Sequence, residues 1–373
     1  MNNRAAPGII RDSIVSYLSA AESASVAEIQ QAVEARIGSV PTSSVRSYLN
    51  LNTPDLFERT TRGHYRLRVA RTTSKVPVSP SCEIGRSRLY EANCFEWMRT
   101  CEPRSISAIV TDPPYGLVEY TDKEQSKLRK GRGGIWRIPP SFDGHKRAPL
   151  PRFTVLTAGD RAAMRDFFFE FAKLSVRATA PGANVLVAGN PLLVHVVAEA
   201  LSAGGLEVRG YLIRLVMTMR GGDRPKNAHD DFPDVSVLPR SMFEPWLVTR
   251  HPLDGRAQDT LRKWSTGGFR RPSAERPFGD VIQSSPTPRA ERAIAPHPSL
   301  KPQAFLRTIV RAALPLGRGV VLDPFAGSGS TLAAANAVGY DSVGVERDSR
   351  YVKMATKAIP ILSGLKTSVD KLE

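Results

Sequence analysis

The sequence predicts an α/β protein: a doubly wound sheet with helices on both faces, preceded by a small, mostly helical unit. Three observations carry this. From Ile106 onward, short apolar runs alternate with segments of helical periodicity, the pattern of a sheet covered on both sides. The first 70 residues carry helix-spaced apolar positions and end on a short alternating run, so they form a unit of their own. Between the two lies RTTSKVPVSPS, Arg71 to Ser81, polar and proline-bearing as a semi-rigid linker is.

In the head, Ile10, Ile14 and Leu18 fall at i, i+4 and i+8 of a first helix. Ser25 caps a second, with Glu28 three residues on and Ile29 and Val33 on its apolar face. Pro41 and Thr42 open a third with Val45 and Leu49 inward, and Leu56 to Arg68 alternates around Arg62-Gly63 as a hairpin does. The expected bounds are 1–70 for the head, 71–84 for the linker, 85–362 for the body and 363–373 for a tail.

In the body, Ile106 to Thr111 is a buried strand, Arg161 to Arg177 a helix, and Asn184 to Ala188 a strand ended by Gly189-Asn190-Pro191. A helix from Leu192 to Ala203, a strand from Val208 to Met217 and a helix from Phe305 to Leu314 follow. Val320 to Leu322 is a strand, Ser330 to Val338 a helix, and Ser342 to Val345 the last strand. Such alternation implies parallel strands. Residues 117–153 and 251–292 break the pattern and are rich in Gly, Pro, Lys and Arg.

Composition narrows the partners. With 373 residues, 41% hydrophobic and 24% charged, the chain is globular and not disordered. Fifty-two Lys and Arg against 36 Asp and Glu leave +16, which attracts a polyanion, nucleic acid being the commonest. Cys82, Cys94 and Cys101 are odd in number with no CxxC spacing, so a disulfide scaffold or a structural zinc site is not expected, and no metal is. Residues 1–13 hold no apolar secretory core. The most apolar stretch, Val185 to Val197, is broken by Asn190, Pro191 and His195, so no membrane span is expected and a cytoplasmic location is.

Two motifs carry chemistry. Asp323-Pro324-Phe325-Ala326-Gly327-Ser328-Gly329-Ser330-Thr331 lies between a strand and a helix, where glycines let backbone approach a ligand and the helix start favours negative charge. Glu346 ends the next strand, where a carboxylate can accept both hydroxyls of a ribose. No GK[ST] follows, so the turn is not a phosphate-binding loop. The second motif, Thr111-Asp112-Pro113-Pro114-Tyr115-Gly116, follows the strand ISAIV. Its prolines fix a carboxylate and an aromatic ring at a strand's carboxyl end, a pair suited to a flat heterocycle with an exocyclic amine.

Together these motifs resemble the amino-group DNA methyltransferases, which use S-adenosylmethionine to methylate adenine N6 or cytosine N4. Their [DNS]PP[YFW] is matched by Asp112, Pro113, Pro114 and Tyr115, and their FxGxG by Phe325, Gly327 and Gly329. With the catalytic motif first and the cofactor motif last, the order is similar to that of the beta class. In that class a segment like His297-Pro298-Ser299-Leu300-Lys301-Pro302 precedes the cofactor loop. The resemblance covers about residues 85–362. It implies a Rossmann-like methyltransferase fold with a mixed, doubly wound sheet, and S-adenosylmethionine bound at Asn93, Cys94, Lys301, Asp323, Phe325, Gly327, Gly329, Thr331 and Glu346. The family's usual Gly-Asp-Cys stands here as Ala92-Asn93-Cys94, an amide in place of the carboxylate.

The resemblance also implies roles. Asp112 and the Pro113 carbonyl accept the amine's N–H groups, Tyr115 stacks on a base flipped from the duplex, and the methyl moves by direct displacement. Carbon-5 methylation is disfavoured because family members doing that carry a Pro-Cys nucleophile, whereas the three cysteines follow Ser, Asn and Thr. In the beta class, Asp in the first motif position goes more often with adenine and Ser with cytosine N4; adenine N6 is favoured and N4 stays open. A DNA-binding regulator with an inactive methylase fold is the alternative of another class, opposed by intact Asp112, Tyr115, Gly327 and Glu346.

Double-stranded DNA is the implied partner, with a restriction endonuclease and a homodimer left open. The head resembles a winged helix-turn-helix, whose third helix, here with Ser43, Ser44, Arg46 and Ser47, faces the major groove; its net charge is only +2. In the beta class the target-recognition region precedes the HP…KP segment, here about 251–292, with Arg262, Lys263, Trp264, Arg270 and Arg271 as contact candidates. Residues 117–153 offer Lys127, Arg129, Lys130, Arg132 and Arg137, and a third candidate runs from Arg220 through Arg224 to Lys226.

Overall fold

A computed structural model describes residues 9–67, 79–114, 158–216 and 222–367, apart from positions 22, 52, 54–56, 62, 223, 226 and 298, and two short strands within 141–146. The chain divides into two units, Met1–Lys75 and Val76–Glu373.

The first unit contains α1 (Ile9–Ala20), β1 (Ala24–Ser25), α2 (Val26–Ile37), α3 (Thr42–Leu51), β2 (Phe57–Thr61) and β3 (His64–Leu67). Ser25 caps α2 as its sequence predicts: its hydroxyl accepts from the Glu28 amide while the Glu28 carboxylate accepts from the Ser25 amide at 2.7 Å. Ile14, Ile29, Val33, Val45, Leu49 and Phe57 are fully buried at the centre. The hairpin gains a strand that the sequence did not announce, since β1 pairs outside β3 in a three-stranded antiparallel sheet. Ser43, Arg46 and Ser47 stand exposed on α3.

The second unit opens with β4 (Cys82–Ile84), β5 (Ser87–Glu91), α4 (Cys94–Thr100) and β6 (Ile106–Thr111). A separate pair, β7 (Ser141–Phe142) and β8 (His145–Lys146), comes next in the chain. Then come α5 (Ala158–Ala178), β9 (Thr179–Ala188), α6 (Val194–Ala203), β10 (Glu207–Leu215), β11 (Phe243–Arg250), α7 (Ala257–Trp264) and β12 (Val281–Gln283). The unit ends with α8 (Arg289–Ile294), α9 (Gln303–Ala313), β13 (Val320–Asp323), α10 (Ser330–Ala337), β14 (Asp341–Glu346) and α11 (Ser349–Ser363).

Nine strands form one sheet in the order β12-β10-β11-β9-β6-β13-β14-β5-β4. All ten residues of β9 are buried, as a strand covered on both faces requires. One face carries α5, whose Phe168, Phe171 and Ala172 pack with Met98, Val185 and Leu201. The other carries Phe305, Ile309 and Val310 of α9 against Leu186, Trp246 and Val321. Beside it, Leu332 of α10 and Ile359 and Leu362 of α11 close over Leu89 of β5.

Two expectations need correction. Alternation alone implied parallel strands, whereas the sheet is mixed, as the resemblance implied: β11 runs against both β9 and β10, and β4 against β5. The linker also ends earlier than 84, because Cys82–Ile84 is the edge strand β4; three residues paired on one side only carry too short a pattern to stand out. No described helix is long and apolar enough to cross a membrane.

Phe168 is fully buried between helix and sheet. Phe168→Ala is expected to cost about 3–5 kcal/mol, read as a lower denaturant midpoint with an unchanged slope.

Candidate active site

The two motifs meet where the crossovers diverge. From β6 the chain crosses through α5 to β9; from β13 it crosses through α10 to β14, on the other side of the seam. Such a switch point opens a crevice at the strands' carboxyl ends, where open α/β sheets bind ligands. Asp112 leaves β6 there and Pro324 leaves β13, the two strands pairing directly through Val321 with Ala108 and Leu322 with Ile109. The Thr111 hydroxyl donates to Asp323 Oδ1 at 2.7 Å across this seam, fully buried.

Asp323 is turned inward. It also accepts from the Phe325 amide at 3.1 Å and from the Thr331 hydroxyl, so it ties the start of the glycine loop to its end. Burial pushes its carboxyl up to about 6, opposed by these hydrogen bonds and aided by nearby Asp112.

Glycine is required at two loop positions. Gly327 has φ +50°, and a Cβ there would lie 3.1 Å from the His297 ring. Gly329 has φ +78°, and its Cβ would strike Ile359 at 2.6 Å. Glu346 stands at the end of β14, with Oε2 accepting from the Gly327 amide at 2.9 Å and Oε1 from the Asp348 amide at 2.8 Å. Phe95, Phe167 and Phe325 form an aromatic wall with centroids 4.9 and 5.9 Å apart. A carboxylate for hydroxyls, a backbone cradle a side chain would fill, and a partly buried aromatic wall for a flat ring suit the nucleoside of S-adenosylmethionine. Asn93 is exposed, but its Oδ1 caps α4 by accepting from the Phe95 and Glu96 amides. Burial pushes the neighbouring Cys94 thiol up to about 12, so it stays protonated.

Lys301 reaches the other motif. Its ammonium ion-pairs with Asp112 Oδ2 and lies 3.7 Å from Glu244 Oε1. Glu244 in turn accepts from Trp246 Nε1 at 2.9 Å and from Arg214 at 3.1 Å. Glu244 and Arg214 were missed, because neither belongs to a motif and only the reversal of β11 carries the strand's first residues to this edge.

The basic candidates separate. Arg262, Lys263, Arg270 and Arg271 do not join the site. Arg104, just before β6, lies over the Trp264 ring at 5.6 Å; the Arg270 amide donates to the Ala312 carbonyl and its guanidinium to Tyr340 Oη at 2.8 Å. These partners mark the strands' amino ends, about 17 Å of β6 away from Asp112. Segment 251–292 is thus built into the body, with α7 packed on β9 and β12 paired to β10. Arg224 is exposed in the connection between β10 and β11. Tyr115, Lys127, Arg129, Lys130, Arg132, Arg137 and Arg220 lie outside the described residues.

A mixed, doubly wound sheet with a glycine loop and a carboxylate-bearing proline turn at its switch point is the arrangement of an α/β protein that binds a nucleoside-bearing ligand. The DNA methylase family model matches residues 245–357. The Type II methyltransferase M2.DpnII of Streptococcus pneumoniae is 35% identical over 276 residues, 73% of this chain and 88% of that one. The Type II methyltransferase M2.LlaDCHI of Lactococcus lactis subsp. cremoris is 34% identical over 281 residues, 75% and 91% respectively. A solved complex of M1.HpyAVI with SAM aligns over 73% of this chain and 98% of that one, at 18% identity and a TM-score of 0.45. The chain belongs to the amino DNA methyltransferase family, enzymes that methylate DNA with S-adenosylmethionine as donor.

The buried Asp323 carboxyl has a folded value near 6, above its unfolded value of about 3.9. The folded state therefore binds the proton more tightly, and stability from this group is present below about pH 4 and lost as pH rises through about 6. Asp323→Asn removes that dependence. Urea unfolding between pH 4.5 and 7 is expected to show wild type losing stability relative to the variant as pH rises.

Proposed function

We propose that this methyltransferase acts on the exocyclic amine of a base flipped out of double-stranded DNA, and that the base is adenine, methylated at N6. The observation that carries the reading is Asp112 and Pro113 at the carboxyl end of β6, directly across the β6–β13 seam from the glycine loop.

The exocyclic amine of a nucleobase is a weak nucleophile, because its lone pair is delocalised into the ring. The Asp112 carboxylate and the Pro113 carbonyl each accept one of its N–H bonds, which localises the lone pair on nitrogen and aims it out of the ring plane. Neither contact is open to a base inside the stack, so the nucleotide must first be extruded. Tyr115 stacks on the extruded ring. Bound S-adenosylmethionine supplies the electrophilic methyl group. Gly327 and Gly329 let the loop backbone close on the donor, Glu346 accepts from its ribose hydroxyls, and the wall of Phe95, Phe167 and Phe325 flanks its flat ring. Holding both reactants in line is this chain's main contribution to rate.

The Asp in the first motif position supports adenine; the cytosine amine presents the same two N–H groups, so cytosine N4 is the second reading. Exposed Arg46 on α3 and exposed Arg224 between β10 and β11 are our candidates for DNA contacts. The Type II names of the relatives support a restriction endonuclease as functional partner, and action on DNA supports a cytoplasmic location. A homodimer is part of the same reading.

The test incubates the protein with tritiated S-adenosylmethionine and mixed-sequence duplex DNA, then separates the labelled nucleosides. Label in N6-methyladenine is expected, with Asp112→Ala at least about 100-fold slower, the scale for losing a group that acts in the transition state. Label in N4-methylcytosine would move the target to the second reading, and no label in DNA would sink both.

A further inference from the structure

Lys301 lies between the carboxylates of Asp112 and Glu244. Its side chain is 12% exposed, against 16% for Asp112 and 19% for Glu244. Glu244 cannot turn away, since Oε1 accepts from Trp246 and Oε2 from Arg214. Arg214 is fixed in turn by Ser284 Oγ at 3.0 Å and the Ser285 carbonyl at 2.8 Å. The 3.7 Å separation of Lys301 from Glu244 needs about 1 Å of movement to become a hydrogen bond.

The chemistry supplies the reason for such a movement. Positive charge develops on the amine as its nitrogen attacks, and Asp112 stabilises it best when no cation holds its charge. An ammonium in a pocket this enclosed cannot simply leave, because unpairing it costs several kcal/mol. Glu244 offers it a second carboxylate. Burial pulls Lys301 down, but Asp112 and Glu244 together outweigh burial and raise it above the ordinary lysine value. It is therefore a permanent cation near neutrality and not a proton acceptor.

We propose that Lys301 is a positioning residue that occupies Asp112 while the base pocket is empty and passes to Glu244 when the target amine arrives. This deepens the reading of Asp112 as amine acceptor and rests on it. Glu244 and Arg214 form the receiving end, and the pair of carboxylates makes the catalytic one available only when the base is present.

The experiment compares wild type, Glu244→Gln, Lys301→Met, Lys301→Arg and the double variant E244Q/K301M. S-adenosylmethionine affinity and thermal unfolding establish that each is folded and binds the donor. Initial rates of tritium transfer to unmodified duplex DNA then give kcat and KM separately. Glu244→Gln strands the lysine on Asp112 and is expected to lower kcat about tenfold, equivalent to about 1.4 kcal/mol. Donor affinity and the KM for DNA stay within about twofold, the ordinary scatter for a site left intact. Removing the lysine in that background is expected to raise kcat again several-fold, and Lys301→Arg to keep most of the wild-type rate. A double variant as slow as Glu244→Gln, or slower, overturns the proposal, since two structural partners give no such rescue. Loss of donor affinity in Lys301→Met also overturns it and returns the residue to the cofactor. Wild type that transfers no label to DNA sinks the underlying function, whereas transfer without rescue sinks the handover alone.

Discussion

The hydrogen bond from Thr111 to Asp323 joins residues 212 positions apart, and the rest of the site depends on the seam it closes. β6 sends its crossover one way along the sheet and β13 sends its own the other way. With α5 and α9 covering opposite faces, both chemical motifs leave their strands at the carboxyl end of this seam, where open α/β sheets bind ligands. Asp323 bears the cost. Buried and held near 6, it exchanges solvation for three hydrogen bonds that lock the glycine loop to the strand carrying Asp112. A buried acid is a poor source of stability and a good source of position.

The same exchange extends along the crevice edge. Asp112, Lys301, Glu244 and Arg214 alternate in charge across the loop after β6, the segment before α9, β11 and β10. Burial draws the Arg214 guanidinium down, countered first by Glu244. Four enclosed charges of net zero are tolerable only as a set, because deleting one leaves its neighbour uncompensated. What the row secures is the orientation of one carboxylate, drawn from four different stretches of chain.

Much of this was legible in the sequence, and the reasons for the rest are specific. The buried run ISAIVT and the capping pair Ser25 and Glu28 announce themselves through local chemistry alone, and the structure places both as expected. The glycine loop reads as a ligand cradle because its residues are constrained where they stand. Glu244 and Arg214 were invisible, since their meaning comes from an antiparallel strand inserted beside parallel ones, which no local period encodes. Arg270 misled for a related reason: a basic cluster reads as a DNA contact until its guanidinium is found spent on Tyr340 at the far end of the sheet. Asn93 shows a role the motif did not announce, its side-chain oxygen capping the first turn of α4.

The reversed strand β11 has an effect on how relatives of this chain can diverge. A loop that leaves a parallel strand at its carboxyl end normally dips below the sheet before the next strand begins. Here Leu215 at the end of β10 pairs with Phe243 at the start of β11, so the whole intervening segment begins and ends on the edge that holds Asp112. The segment following β11 departs from Arg250 at the opposite edge. The second connection instead starts at the amino edge and climbs to β12, whose Val281 pairs with Ile213 near the carboxyl end of β10. Length changes between residues 215 and 243 are thus made at the edge where Asp112 stands, without altering the pairing of the two strands they join.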